Sequence, residues 1–418
     1  MAGFSKSEEL LDRALKVIPV GTQTFSKSHL TFPRGIAPLY IAGGKGSRVW
    51  DEDGNEYLDF TAALGPISLG YGVPEIDNAV RQQMELGAIF VLPHRLEVEV
   101  SEMICDMVPC AEMVRFGKNG SDATTGAVRI ARAYTGRDHI IQWGYHGWHD
   151  WSIGITGRNR GVPQAVRDLT HTFKYNDLAS LEAVFAQYPN QVAAVIMEPA
   201  NSVQPDPGFL AGVRDIAHKN MALFILDETI TGFRYANGGA QEHFGVTPDL
   251  ATFGKGIANG WPLAAIAGKA EVMRTVADVH YSYTYAGDAL SLAAGKATLE
   301  YLQANPVIDH LNVVGGGLMA VVQYLAKITG AKVTISGHPS WTFLGFASQA
   351  QKVLWQQEIY QRGILSLGQH FISYAHTPED VERLGKVYME VFEILAKYEG
   401  REAEVLRCKV QEPLFKVR

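Results

Sequence analysis

Short apolar runs bounded by turn residues recur through the middle of the chain, and runs of roughly four to eight such residues read as buried strands. They include the stretch opening at Met113, then His139 to Gln142, Val192 to Met197 and Ala222 to Asp227. Between them lie segments of helical spacing at 123–134, 177–187, 208–219 and about 288–303. Strands alternating with helices predict an α/β fold with a mainly parallel sheet flanked by helices. Strands buried on both faces belong to such sheets, and ligands sit at their carboxyl ends.

The flanking segments follow another pattern. Ser5 to Ile18 reads as an amphipathic helix, with Ser5 and Glu8 at capping-box spacing. Gly46 to Asp51 and Asn55 to Phe60 flank the turn Glu52-Asp53-Gly54, which predicts a hairpin. Residues 61–75 are glycine-rich and uncharged until Glu75, and helices are expected at 75–86 and 96–108. Beyond residue 306 the pattern predicts a helix interrupted by Gly315-Gly316-Gly317 and strands near 332–335 and 341–346. A helix at 350–362, a strand at 371–375 and a helix opening at Thr377-Pro378 complete the series.

At 418 residues two domains are expected, and 47% hydrophobic content supplies their cores. A net charge of −7 gives no basic surface for nucleic acid or an anionic membrane. Cys105, Cys110 and Cys408 are too scattered for a disulfide framework or thiolate metal site, which fits a reducing cytoplasm. Neither a signal peptide nor a membrane span is expected, since no run reaches about 18 uninterrupted apolar residues.

The chemistry gathers at the strand ends. ILDETITGFR delivers Asp227, and DLATFGKGIANG delivers Lys255 between Gly254 and Gly256. A pyridoxal phosphate cofactor needs such a pair: a lysine for its Schiff base and a carboxylate for its ring nitrogen. A Lys–Asp pair alone is more often a solvated lysine and a capping aspartate, so the other strand ends decide. Gly120-Ser121-Asp122 stands between a strand and a helix, where free N–H groups attract an anion, although serine is also an ordinary N-cap. Tyr145-His146-Gly147-Trp148-His149 places an aromatic where it can stack on a flat ring, or fill the core. His146 and His149 lack an acidic or cysteine partner at ligand spacing, so no metal is expected. Glu198-Pro199 offers a carboxylate near the amine, to tune it or to orient water.

Taken together, VWDEDGNEYLDF, RFGKNGSDAT, RIARAYTGRD, GYHGWHD, MEP, ILDETITGFR, the run through GKGIANGWPLAAIAG, and SYAHTPEDVE resemble the fold-type I pyridoxal-phosphate enzymes of the class III aminotransferases. Within them the chain is most similar to the glutamate-1-semialdehyde aminomutase group. The resemblance implies a seven-stranded-type sheet in a large cofactor-binding domain, 61–305. It implies a small α+β domain formed by 306–418 and joined by 1–60. Lys255 matches the Schiff-base lysine, Asp227 the ring-nitrogen aspartate, Gly120 and Ser121 the phosphate cradle, Tyr145 the stacking aromatic and Glu198 the acid before proline. Thr284 matches a threonine that reaches the cofactor phosphate of a neighbouring subunit, which implies a homodimer with shared sites.

Two places depart from the aminomutase pattern. Its Ser-Pro-Val-Arg run, which holds the substrate carboxylate, corresponds here to Thr24-Phe25-Ser26-Lys27, and lysine lacks the bidentate fork of arginine. Its C-terminal run with a glutamate corresponds to Gly368-Gln369-His370-Phe371-Ile372-Ser373, which carries no acid. Thr24, Lys27 and His146 are the expected substrate contacts. The expected activity is transfer of an amino group from a small-molecule donor to a separate carbonyl acceptor, such as a keto-sugar of secondary or polysaccharide metabolism. Amine transfer within one substrate, as in the aminomutases, is the alternative.

Overall fold

The structure, a computed structural model, describes residues 3–410. Residues 1–2 and 411–418, the outer ends of the expected first and last segments, lie outside the described residues. Among the described residues the chain divides into two compact units, one running Pro74–Ile308 and the other combining residues 3–73 with 309–410. The sequence reading places the changes after residues 60 and 305.

The unit Pro74–Ile308 is built on a seven-stranded sheet. In spatial order its strands are Met113–Gly117, Ala264–Gly268, Leu250–Phe253, Leu223–Asp227, Val192–Met197, His139–Trp143 and Thr170–Thr172. Neighbours are parallel except Ala264–Gly268, which runs against both of its neighbours. Every residue of Val192–Met197 and Leu223–Asp227 is buried, as a sheet covered on both faces requires. On one face Ala123, Ala127, Ile130 and Ala131 of helix Gly120–Thr135 pack with Ile140, Ile196 and Ile225. Small residues on that helix let it lie close to the strands. On the other face Leu181, Leu210 and Val213, from helices Leu178–Gln187 and Phe209–Lys219, meet Val195, Phe224 and Leu226.

The other unit holds a four-stranded sheet in the order Ile41–Lys45, Arg48–Asp51, Glu56–Asp59, Ile364–Leu365. Its last pair is parallel and joins the two chain segments. Strands Val333–His338, Trp341–Phe346 and Gln369–Phe371 form an antiparallel sheet. Arg48 donates to Asp380 at 2.7 Å, pinning helix Pro378–Lys397 to the first sheet. The expected break at Gly315-Gly316-Gly317 does not occur, for the helix is continuous from Val307 to Thr329. Gly315 is needed there because a Cβ would lie 1.9 Å from the Pro339 carbonyl oxygen. Among the described residues this is the one helix long and apolar enough to cross a membrane. Its buried Leu311, Val314, Leu318, Val322 and Leu325 form one stripe, the pattern of a core helix.

Candidate active site at the strand ends

Strand register brings the functional residues to one edge. Trp143 pairs with Met197, Met197 with Leu226, Asp227 with Thr252, and Gly117 with Ala264. The segments leaving Gly117, Trp143, Met197, Asp227 and Phe253 therefore emerge side by side. They carry Gly120 and Ser121, Tyr145 and His146, Glu198, Asp227 itself, and Lys255.

Asp227 is 5% exposed and bonded on both oxygens. Its Oδ1 accepts from the Thr229 amide at 3.1 Å, the Thr229 hydroxyl at 2.6 Å and the Thr252 hydroxyl at 3.0 Å. Its Oδ2 meets His146 Nδ1 at 2.7 Å. Burial pushes the carboxyl up, but the bond and charge of His146 and the bonds from Thr229 outweigh it, so the group titrates below the usual carboxylate range. Oδ2 keeps lone-pair capacity after its one bond.

Lys255 follows the adjacent strand. Its φ of +42° is in the left-handed region, unusual for a residue with a side chain. Such strain persists where the surroundings impose it, commonly at functional sites. Burial pulls its amine down from the ordinary lysine value; Asp227 and Glu198 oppose this and Arg234 adds to it. Arg234 is 1% exposed and lowered by burial to about 10.

Glycines close the site around Thr229. A Cβ on Gly120 would lie 3.0 Å from Thr229 Cγ2, and one on Gly254 would meet the same methyl at 3.3 Å and Gly120 Cα at 3.8 Å. The cradle, the Asp227 bracket and the Lys255 turn thus touch through a single threonine. Gly147, at φ +98°, presses on Ser121: a Cβ there would be 2.1 Å from Ser121 Oγ. The Trp148 amide donates to that oxygen at 3.3 Å, leaving the hydroxyl hydrogen for another acceptor. Beside the cradle, Lys118 Nζ donates to Asp288 at 2.7 Å and to Ser291 at 2.9 Å.

The other expected residues fall in different places. Tyr145 is 45% exposed, and burial then Asp227 push its hydroxyl up. Glu198 is half-buried, accepts from Asn201 Nδ2 at 3.3 Å, and lies against Gly144, where a Cβ would meet its Oε2 at 2.8 Å. Thr284 is exposed between strand Ala264–Gly268 and helix Ala289–Ala304. Thr24 and Lys27 are exposed at the turn Phe25–Lys27 of the other unit. His146, expected to touch substrate, is instead 1% exposed, and its ring nitrogens face Asp227 and the Trp143 carbonyl. That leaves no ring nitrogen for a substrate. Thr229, Thr252 and Gly147 were not singled out from the sequence. The Asp-x-Thr spacing at 227–229, an ordinary side-chain turn, was the one local signal for Thr229.

A parallel sheet that ends in a carboxylate, a strained lysine and a glycine-lined anion cradle is the fold-type I architecture of pyridoxal-phosphate enzymes. The family described as Aminotransferase class-III matches residues 32–340, and the chain belongs to it. The 3-aminobutyryl-CoA aminotransferase of Cloacimonas acidaminovorans (strain Evry) is 36% identical over 394 residues, covering 90% of this chain and 94% of that one. A glutamate-1-semialdehyde 2,1-aminomutase of Desulforamulus reducens is 34% identical over 429 residues, covering 94% and 99%. The PLP internal aldimine form of FumI from Sphingopyxis sp. MTA144 superposes with a TM-score of 0.90 at 27% identity, over 97% of this chain and 99% of that one. The protein is thus an enzyme of a pyridoxal-phosphate-dependent family, and the cofactor is pyridoxal phosphate. The residues fit it: space at Gly120, Gly147 and Gly254 that a Cβ would fill, lone-pair capacity on Asp227 Oδ2, and a desolvated amine at Lys255.

Proposed function

We propose that the protein moves an amino group from a donor amine to a separate carbonyl acceptor. The observation that supports this most is the pairing of Asp227 and Lys255 at adjacent strand ends, the one kept charged and the other strained and desolvated. When bound, pyridoxal phosphate supplies an aldehyde that takes up amines and a ring that accepts an electron pair.

The chain's own residues do the rest. Lys255 Nζ would hold the cofactor through its aldehyde, and the same amine would take a proton from the donor carbon and return one. Its lowered basicity keeps a larger share of the amine neutral near pH 7. Asp227 would hold the ring nitrogen and stabilise positive charge there. Gly120 and Ser121 hold the phosphate at the N-terminus of helix Gly120–Thr135. Tyr145 stacks on the ring, and Glu198 tunes the amine. Thr284, exposed in its own chain, reaches the phosphate of a second copy in a homodimer. Mixing inactive Lys255→Ala subunits with inactive Thr284→Ala subunits tests this: partial recovery is expected, and none after verified exchange counts against shared sites. Three free cysteines accord with a cytoplasmic setting.

The acceptor in this reading is a polar carbonyl compound, for instance a keto-sugar, with Thr24 and Lys27 among its contacts. Its support is the departure at two substrate positions: Lys27 in place of a forked arginine, and no acid within Gly368 to Ser373. His370, inside that segment, is buried against Thr342 and Tyr388 and is not available to a ligand. The aminomutase reading is favoured by the 34% identity to the Desulforamulus enzyme along nearly the whole chain. Turnover of glutamate 1-semialdehyde without added donor, beside half-reactions with a panel of amines, separates the two. The cofactor's absorbance is expected to shift from about 420 to about 330 nm with an amine alone. Efficient donor-free conversion, with no half-reaction from any amine, would defeat the aminotransferase reading.

A further inference from the structure

Residues 280–288, which carry Thr284 at their middle, form neither helix nor strand. Their own backbone bonds close two turns, from the Ala286 amide to the Tyr283 carbonyl at 3.2 Å and from the Asp288 amide to the Tyr285 carbonyl at 3.3 Å. The course of the segment is therefore set by what grips it from outside. Before Thr284, Arg129 donates to the His280 carbonyl at 2.8 Å and Arg115 to the Tyr281 carbonyl at 3.1 Å. The Tyr283 hydroxyl donates to the Phe116 carbonyl at 3.2 Å. After Thr284 the grip comes from Lys118, whose amine donates to Asp288 Oδ2 at 2.7 Å and to Ser291 Oγ at 2.9 Å.

Lys118 is attached at both of its ends. Its backbone amide and that of Asn119 donate to Asp122 Oδ2 at 3.1 and 2.8 Å, which fixes the turn leading into Gly120 and Ser121. Its side chain reaches the far side of Thr284. The pair with Asp288 is partly buried, each side chain 18% exposed, so water and salt screen it less than a surface pair. Asp288 Oδ1 also accepts from the Leu290 amide at 3.2 Å, capping helix Ala289–Ala304, and Oδ2 accepts from the Ser291 hydroxyl at 2.6 Å. Burial pushes the Asp288 carboxyl up, but the bonds from Lys118 and Ser291 and the charge of Lys118 outweigh it, so the group titrates below the usual carboxylate range. These bonds commit the Lys118 amine to the segment rather than to an anion in its own cradle.

We infer that Lys118 is a positioning residue that serves the second copy's site: it clamps the Thr284 segment to the cradle turn and so holds Thr284 where the other copy's cofactor phosphate meets it. The inference rests on the shared-site reading above. Thr284 is exposed, as are Ser282 and Tyr285 beside it, so the middle of the segment is open while both of its flanks are gripped. Losing the grip after Thr284 frees one flank and leaves the cradle's own bonds, from the amides of residues 118 and 119 to Asp122, in place. The defect therefore falls on the other copy.

Two heterodimers, isolated through different affinity tags, test this. In each, one copy carries Lys255→Ala, so a single site can hold cofactor covalently. The cofactor fixed at the native Lys255 by borohydride is measured against pyridoxal phosphate concentration, which reads affinity without turnover. In the first heterodimer Lys118→Met is placed on the copy with native Lys255. Its affinity is expected to stay within about twofold of the heterodimer with Lys118 native in both copies, since the change lies outside the bonds of that site. In the second, Lys118→Met is placed on the Lys255→Ala copy. Affinity is expected to fall about tenfold, the scale for one hydrogen bond, and by no more than with Thr284→Ala on that copy. Asp288→Asn keeps the helix cap but removes the charge. It is expected to show the same pattern and to add little to Lys118→Met on the same copy. A loss in the first heterodimer but not the second would mean that Lys118 serves its own cradle and would overturn the inference, as would equal affinities in the two. If Thr284→Ala weakens the other copy's site while Lys118→Met and Asp288→Asn do not, the inference alone fails. If Thr284→Ala has no effect on the other copy's site, the shared-site reading fails and the inference with it.

Discussion

His146 in one unit and His370 and His376 in the other are all fully buried, yet their partners differ in kind. His146 meets a carboxylate and a carbonyl, both acceptors only. His370 meets the hydroxyls of Thr342 and Tyr388, which can donate or accept. His376 Nδ1 accepts from the Ser373 amide while Nε2 donates to the Asp59 carbonyl. Burial pulls the last two down from the ordinary histidine value, to about 3 and about 4, so they are neutral. The carboxylates divide likewise. Asp227 is held ionised by its donors, whereas burial raises Asp59 despite bonds from Thr61 and Tyr71. Burial alone does not distinguish a site from a core. Whether the surroundings hold a charge or remove it does.

The largest expected effect breaks the comparison at the two aspartates. Asp227→Asn should keep cofactor but lose about a hundredfold or more in turnover, the scale for removing one preorganised electrostatic group. Asp59→Asn should leave turnover per folded molecule nearly unchanged and lower stability by about 1–3 kcal/mol. Steady-state rates beside thermal unfolding measure both, and near-normal turnover in Asp227→Asn would remove its role.

A smaller effect concerns two glycines with positive φ. Gly147→Ala places a Cβ against Ser121 Oγ, so the hydroxyl must move out of the cradle, and cofactor binding should weaken about tenfold, the scale for loss of one hydrogen bond. Gly136, at φ +66°, ends helix Gly120–Thr135 with nothing within 4 Å of a Cβ. Gly136→Ala should lower stability by about 1 kcal/mol and leave cofactor affinity alone. Equal affinities in the two variants would show that the Ser121 contact is not part of the cradle.

The remaining effect is read in pH. His370 and His376 gain protons in the unfolded chain below about pH 6.5, but in the folded chain only near pH 3 to 4. Their contribution to stability is therefore complete above about pH 6.5 and is lost as pH falls toward 4. The loss is about 1.4 kcal/mol per pH unit for each such group. Unfolding curves between pH 7 and 4.5 should flatten by about that slope in His370→Gln. An unchanged slope would mean that the buried ring takes up a proton in the native state.

The strand ends were legible because apolar runs, turn residues and functional groups are local in sequence. Lys255, Asp227, Gly120, Ser121 and Glu198 all stand at the ends or in the turns where the pattern put them. What was not legible depends on strand order. His146 and Asp227 are 81 residues apart, and Thr252 reaches Asp227 only because their strands are neighbours in register. The continuous helix through Gly315 was missed because its cause is a distant backbone, at Pro339. The antiparallel strand Ala264–Gly268 is a short alanine-rich run of low strand propensity.

The central claim is that Lys255 is the residue bound to the cofactor, and reduction with borohydride followed by peptide mapping tests it most directly. The purified protein should be yellow, and the label should fall on the peptide containing Lys255. Lys118 also stands beside the cradle, but its amine is occupied by Asp288 and Ser291. Label on Lys118, or on any lysine other than Lys255, would contradict the account.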